Sequence, residues 1–164
     1  MAENTESDKA AKPEFRMQKM YIKDLSFENP NAPQIFTDRQ KMDPAVEVNL
    51  QLNNKQVDAD HWEVSLHITS KVTSKEDSKV LFILEIEHAA VFMLKNIPNE
   101  HMAMLLGVDC PTLLFPFTRQ IVSQVSIDGG FVPFLMEPVN FMALFQNAKK
   151  KKEAEAKKEA EAEN

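Results

Sequence analysis

The alternation of apolar and polar residues predicts β-strands in the first half of the chain. In residues 46–52 every second side chain is apolar and the others are polar, and residues 62–68 repeat this pattern. A period of two is typical of a strand with one buried face. A looser alternation over residues 15–22 predicts an earlier strand.

A fourth strand is predicted over residues 80–94, where apolar side chains occur at both odd and even positions. Such a pattern indicates a strand that is covered on both faces. In a chain of 164 residues, another subunit is one source of the second cover. Residues 53–55 are the predicted turn after the second strand, and two prolines within residues 29–33 predict an extended crossover loop that reaches Pro44.

After Pro98 the spacing of apolar residues becomes that of helices. Asn99 is expected to cap a short helix that stops at Gly107. A second helix is expected to begin between Pro111 and Pro116, since proline suits a first turn and disrupts a helix interior.

The second helix is expected to end at residues 128–130, and Asn140 is expected to cap a last helix. Four strands followed by helices predict an α+β fold. In that fold, helices pack on one face of a four-stranded, antiparallel, meander-like sheet.

The chain divides into three segments by composition. Residues 1–13 are small, polar and charged, and we expect them to be disordered. Residues 14–148 are expected to form one domain. Residues 149–164 contain six lysines and five glutamates with alanine, and this low-complexity tail is expected to fray because it has no face to bury.

Charge and composition narrow the range of functions. The net charge is −6, and an acidic body argues against nucleic-acid binding, which needs a basic surface. No apolar run approaches 18 residues, so membrane insertion is not expected. The lack of a secretory signal and a single cysteine favour a cytoplasmic location.

No catalytic, metal or cofactor motif is present in the sequence. The three glycines form no phosphate-binding loop, and the four histidines lack metal-ligand spacing. Cys110 precedes a predicted helix start, which can lower a thiol pKa. An enzyme or small-ligand-binding domain that uses Cys110 is therefore an alternative to a packed structural cysteine. A purely structural oligomer is a third reading.

An apolar run and a set of acidic residues can each be interpreted in two ways. The apolar run from Cys110 to Arg119 either packs in a core or offers surface to a partner. Acidic residues beside apolar strand positions form either a solvated face or a docking patch for a basic partner. These acidic residues are Asp24, Glu28, Glu85 and Glu87.

Four segments in order resemble the SecB protein-export chaperones of Gram-negative bacteria. They are residues 21–33, 82–86, 107–119 and 138–145, and the resemblance covers about residues 15–147. It implies a dimer of dimers. The positions that match the family's assembly residues are Phe82, Leu84, Ile86 and His88. Glutamine is more usual at the position of His88, which suggests the hypothesis that assembly of this chain has a different pH dependence.

The resemblance also implies a function. Such a chaperone holds unfolded preproteins without ATP and passes them to the motor protein SecA for export. The implied SecA-docking residues are Asp24, Glu28, Ile83 and Glu85. The implied client groove uses the crossover loop, the second strand and the last helix, with Phe36, Met42, Val46, Val48, Leu50, Met142 and Phe145. The stretch Lys41-Met42-Asp43 lies where a tryptophan is common in the family.

Overall fold

The computed structural model of the protein describes residues 11–37 and 43–162. Its strands are β1 (Glu14–Glu28), β2 (Pro44–Gln56), β3 (His61–Ser74) and β4 (Val80–Lys95). Its helices are α1 (Gln34–Thr37), α2 (Asn99–Met104), α3 (Cys110–Asp128) and α4 (Phe141–Ala162), and a π-helical segment (Leu105–Asp109) joins α2 to α3.

The four strands form one antiparallel sheet in the order β1-β4-β3-β2. β2, β3 and β4 follow one another as hairpins, whereas β1 lies beside β4, so the connection from β1 to β2 crosses the sheet as in a Greek key. The predicted α+β fold with helices on one face of a four-stranded antiparallel sheet is confirmed. The departure from a simple meander is the position of β1.

The turn between β2 and β3 was misplaced by the sequence pattern. Residues 53–55 are not a turn, because Asn54 pairs with Val64 and Gln56 pairs with Trp62 within the ladder. The chain reverses over residues 57–60, where the Asp58 carboxylate accepts backbone N–H bonds from Asp60 at 3.0 Å and His61 at 2.9 Å. The backbone hydrogen bonds of the β-ladder here outweigh the local preference of asparagine for turns.

The prediction that a helix stops at Gly107 is wrong. Pro98, not Asn99, is the residue before α2, and no side chain caps that end. The backbone stays helical through the π segment and into α3. Gly107 is required for space: a Cβ there would lie 2.7 Å from Cδ2 of Phe145 on α4. α3 begins at Cys110 and holds Pro116 inside it.

The end of α3 and the start of α4 lie where the sequence predicted. The N–H of Ala143 donates to Oδ1 of Asn140 at 2.9 Å, which confirms the predicted cap. The expected fraying of the tail is wrong, since α4 continues to Ala162. Lysine, glutamate and alanine are strong helix formers, and the side chains of residues 149–158 are exposed. Of the segment predicted to be disordered, residues 1–10 lie outside the described part.

The core lies between α3 and one face of the sheet. Its fully buried side chains come from the centre of β3 and β4 and from α3, and include Leu66, Ile68, Phe92, Leu114 and Val122. The four residues predicted for the tetramer interface lie on this face, where they are at most 3% exposed within a single chain. Any effect they have on assembly therefore passes through α3 and the loop that follows it, which cover them. Their role in a tetramer stays a prediction.

His88 provides a test of pH dependence. Its Nδ1 lies 2.8 Å from the Thr118 hydroxyl, and burial lowers its pKa below the ordinary value. The His88 imidazole is therefore protonated more readily in the unfolded chain than in the folded one. Its contribution to the free energy of unfolding is fully present above pH 6.5. That contribution is lost as the pH falls below this value, by at most about 1.4 kcal/mol per pH unit. Urea unfolding at pH 8 and pH 5.5 should show a larger loss for the wild type than for His88→Gln, which does not titrate.

Equal losses in the two proteins would show that His88 is not the titrating group. Sedimentation at both pH values tests the hypothesis about assembly in the same samples. An unchanged oligomer mass from pH 8 to pH 5.5 would contradict it.

Candidate functional site

An open apolar groove lies on the helix side of the sheet, between β2 and the loop that follows α3. Its volume is about 340 Å³. The groove is open because β2 is an edge strand and α3 covers β3 and β4 instead. Val46 is 45% exposed on its wall and Val132 is 81% exposed on the opposite side. The lining also includes Pro44, Val72, Phe82, Phe131 and Phe134.

An aromatic cluster builds the base of this groove. The ring of Phe82 on β4 lies 5.0 Å from that of Phe131 and 6.1 Å from that of Phe134, and 5.3 Å from Phe27 on β1. Phe36, in α1, packs on Phe131 at 5.2 Å. Tilted and edge contacts at these distances are favourable for aromatic pairs. The cluster therefore joins the crossover loop, the sheet and the loop after α3.

Ser126 fixes the groove loop to α3. Its hydroxyl accepts the N–H of Phe134 at 2.8 Å and donates to the carbonyl of Ser123 at 2.7 Å, and its own carbonyl accepts the N–H of Phe131 at 3.0 Å. Gly130 makes the turn with a φ of 88°, a conformation that glycine adopts readily. Both aromatic residues of the loop thus have anchored backbones.

The residues predicted for the client groove fall into two places. Val46, Val48 and Leu50 share the helix-side face of β2, and Phe36 contacts the groove loop. Phe145 packs instead on Gly107 and lines a second cavity of about 480 Å³, whose lining shares no residue with the groove. Met142 is 37% exposed on α4, and Met42 lies outside the described residues.

Sequence reasoning missed Phe131 and Phe134, and it assigned Phe82 to assembly alone. A usable signal was present, because residues 131–135 are apolar although two glycines and a proline mark them as a loop. An apolar loop needs a partner in a core or on a surface. Here part of it packs, and part of it, Val132 and Leu135, stays exposed.

The opposite face of the sheet is acidic. Glu28 pairs with Ile83 across β1 and β4, Ser26 pairs with Glu85, and Asp24 pairs with Glu87. The structure thus brings the four residues predicted to dock SecA onto two neighbouring strands of one face. Their role in docking stays a prediction.

Lys23 and His67 bond to part of this acidic face. Lys23 Nζ lies 2.9 Å from Glu63 and 3.3 Å from Glu87, and His67 Nε2 lies 2.7 Å from Glu85. The Tyr21 hydroxyl donates to Glu63, and its burial, with that bond, raises the pKa of Tyr21 to about 12. Hydrogen bonds from Tyr21 and Lys23 in turn lower the pKa of Glu63. In the part of the chain that the structure describes, Asp24 and Glu28 form no ion pair.

Cys110 is not placed for nucleophilic chemistry. Its side chain is fully buried at the start of α3, and burial, followed by the charge of Asp109, raises the pKa of the thiol to about 12. A buried thiol that stays protonated is a poor nucleophile. Within the described ranges, no three His, Cys, Asp or Glu side chains come together as a metal site, and no helix is long and apolar enough to cross a membrane.

Comparisons with known proteins agree on one family. Residues 8–152 match the family model for SecB, the preprotein translocase subunit. The protein-export protein SecB of Desulfotalea psychrophila is 70% identical over 93% of this chain and 97% of its own. The protein-export protein SecB of Magnetococcus marinus is 46% identical over 94% of this chain and 97% of its own.

A solved structure has a similar fold. It is a SecB-like chaperone of Mycobacterium tuberculosis in complex with a ChAD peptide from an antitoxin. Its TM-score is 0.63 at 11% identity, over 77% of this chain and 91% of that one. At this identity the likeness concerns the fold alone. The match to the family model and the identities of the export proteins show that the chain belongs to the SecB family.

Proposed function

We propose that this protein is a cytoplasmic export chaperone, which binds unfolded preproteins without ATP and delivers them to SecA. The observation that carries the proposal is the open apolar groove beside β2. Val46 and Val48 are 45% and 46% exposed on the face that elsewhere forms the core. An apolar surface of this kind, left open in a folded subunit, is typical of a binding site.

The groove suits a client without a defined sequence. Apolar contact contributes about 25 cal/mol per Å² of buried surface whatever the client's order of residues. A folded protein has already buried such surface, so the groove favours unfolded chains. No strand of the described residues pairs with the outer edge of β2, so its backbone groups can pair with an extended polypeptide. The peptide complex of the similarly folded mycobacterial chaperone supports a polypeptide ligand.

The acidic face provides a separate surface for SecA. Asp24, Glu28 and Glu85 offer carboxylates around the apolar Ile83, which suits a basic partner. This face and the groove lie on opposite sides of the sheet, so a client and SecA would not compete for space. We further propose that the subunits assemble as a dimer of dimers, which adds avidity because several grooves then bind one chain.

The test is suppression of aggregation. The protein, in stoichiometric amounts and without nucleotide, should keep a reduced, unfolded client soluble. Cys110→Ser should retain this activity, because the thiol is buried and protonated. Native mass measurement with and without the client should show the oligomer and its loaded form.

A lack of client binding by an intact oligomer would contradict the proposal and favour a purely structural role. Loss of activity in a Cys110→Ser protein that still assembles would favour the alternative that uses the cysteine.

A further inference from the structure

The acidic face contains an imidazole that bonds to one of the docking carboxylates. His67 lies on β3, opposite Glu87 of β4 and Gln51 of β2. Its Nε2 reaches diagonally to Oε1 of Glu85 at 2.7 Å. Both side chains are partly accessible, at 32% for His67 and 44% for Glu85. A partner approaching this face therefore meets Glu85 already engaged.

The carboxylates of the docking surface are thus not equivalent. Asp24 and Glu28 have no ion pair among the described residues, so their charge is available to a partner. Glu85 can bind a partner's cation only by sharing or releasing His67. The energy needed for this depends on the charge of the imidazole, because a neutral ring offers one hydrogen bond whereas a protonated ring forms an ion pair.

We propose that His67 is a pH-dependent gate on the docking surface. This inference rests on the proposed docking of a basic partner, SecA, at the acidic face. The protonated imidazole holds Glu85 in an ion pair, so docking weakens. The neutral ring offers only a hydrogen bond, so Glu85 is released to the partner at lower cost.

The other charged groups on this face do not provide the same switch. Carboxylates, lysines and tyrosines ordinarily keep their charge between pH 6 and 8, whereas imidazole changes charge there. The groups on this face are Glu14, Arg16, Lys19, Tyr21, Lys23, Asp24 and Glu28 of β1, Glu47 and Lys55 of β2, Glu63 and Lys71 of β3, and Glu85, Glu87 and Lys95 of β4. Arginine stays protonated throughout this range. The one other imidazole of this face is His61, at the start of β3, where it bonds to Asp58 at 2.8 Å.

His61 offers a matched control. It is also paired with a carboxylate, and six residues of strand place it about 20 Å from His67. His61→Gln therefore removes an imidazole from the same face without touching Glu85. His67→Gln keeps a neutral donor at both pH values, and His67→Arg keeps a positive charge at both.

The experiment measures binding of the tetramer-forming full chain to SecA from the same bacterium at pH 8 and pH 6, at constant low ionic strength. Between these values the wild type should lose about two- to fivefold more affinity than His67→Gln, as expected for an exposed ion pair. At pH 8, His67→Arg should bind SecA more weakly than His67→Gln does. The ratio of the two affinities should match the ratio between the wild type and His67→Gln at pH 6. His61→Gln should follow the wild type.

Equal pH dependence in the wild type and His67→Gln would overturn the gate, as would full affinity of His67→Arg at pH 8. Glu28→Gln and Glu85→Gln separate this failure from that of the docking site. If both weaken binding while the His67 series has no effect, the docking surface stands and the gate is wrong. If neither weakens binding, SecA docks elsewhere and the gate is wrong with it.

Discussion

Replacing Val46 and Val48 together with aspartate should strongly weaken client binding. Both side chains are about half exposed beside the groove, so the subunit does not depend on them for its core. Burying the exposed part of two valines contributes about 1.5–3 kcal/mol, and an aspartate carboxylate buried against an apolar client costs more. Client affinity, measured by fluorescence anisotropy of a labelled unfolded protein, should fall about a hundredfold or more.

The same strand supplies the control for this variant. Asn49 and Gln51 are exposed on the opposite face of β2, so Asn49→Asp with Gln51→Glu adds two equal charges away from the groove. This pair should bind clients nearly as the wild type does. An equal loss in both double variants would mean that net charge, not the groove, governs binding.

Replacing Phe82 with alanine should be the most destabilising of the changes considered. The side chain is 3% exposed and touches aromatic rings from β1 and from the loop after α3. Removing a buried phenylalanine costs about 3–5 kcal/mol, because the cavity is only partly refilled. The free energy of unfolding in urea, compared at one protein concentration, should fall by this amount, and the groove should lose its base.

Ile83 provides the comparison, since it lies next in the chain and on the opposite face, where it is only half-buried. Ile83→Ala should destabilise the protein much less. Dissociation of the proposed oligomer by Phe82→Ala, with the unfolding free energy unchanged, would contradict the role in the core and show that Phe82 acts in assembly alone.

The proposed client-binding groove and the proposed SecA-docking surface lie on opposite faces of the sheet. The helix side holds the groove, whose wall is an edge strand that α3 leaves uncovered. The other side holds the acidic residues, of which Glu63 bonds to Lys23 and Glu85 bonds to His67. β4 contributes to both, since Phe82 faces the groove and Glu85 faces the acidic surface. Alternate residues of one strand can therefore serve a client and a partner without overlap.

Much of the fold could be predicted because the alternation of side chains follows from the strand itself. The period of two over residues 46–52 and 62–68 correctly predicted that the apolar side chains of β2 and β3 lie on one face of the sheet. The asparagine cap of α4 was equally local. Local signals failed where a distant residue decided the outcome. Gly107 was read as a helix stop, but its lack of a side chain makes room for Phe145.

The candidate site was only partly predictable for the same reason. The sequence alone determined four strands, the helix-forming regions, an acidic body and the family resemblance, since each depends on residue type and spacing. Only the tertiary structure decided that α3 leaves β2 uncovered, that Phe131 and Phe134 form the groove with Phe82, and that His67 reaches Glu85. These features depend on contacts between residues that are far apart in the chain. Strand order and packing determine those contacts, so no local sequence pattern can predict them.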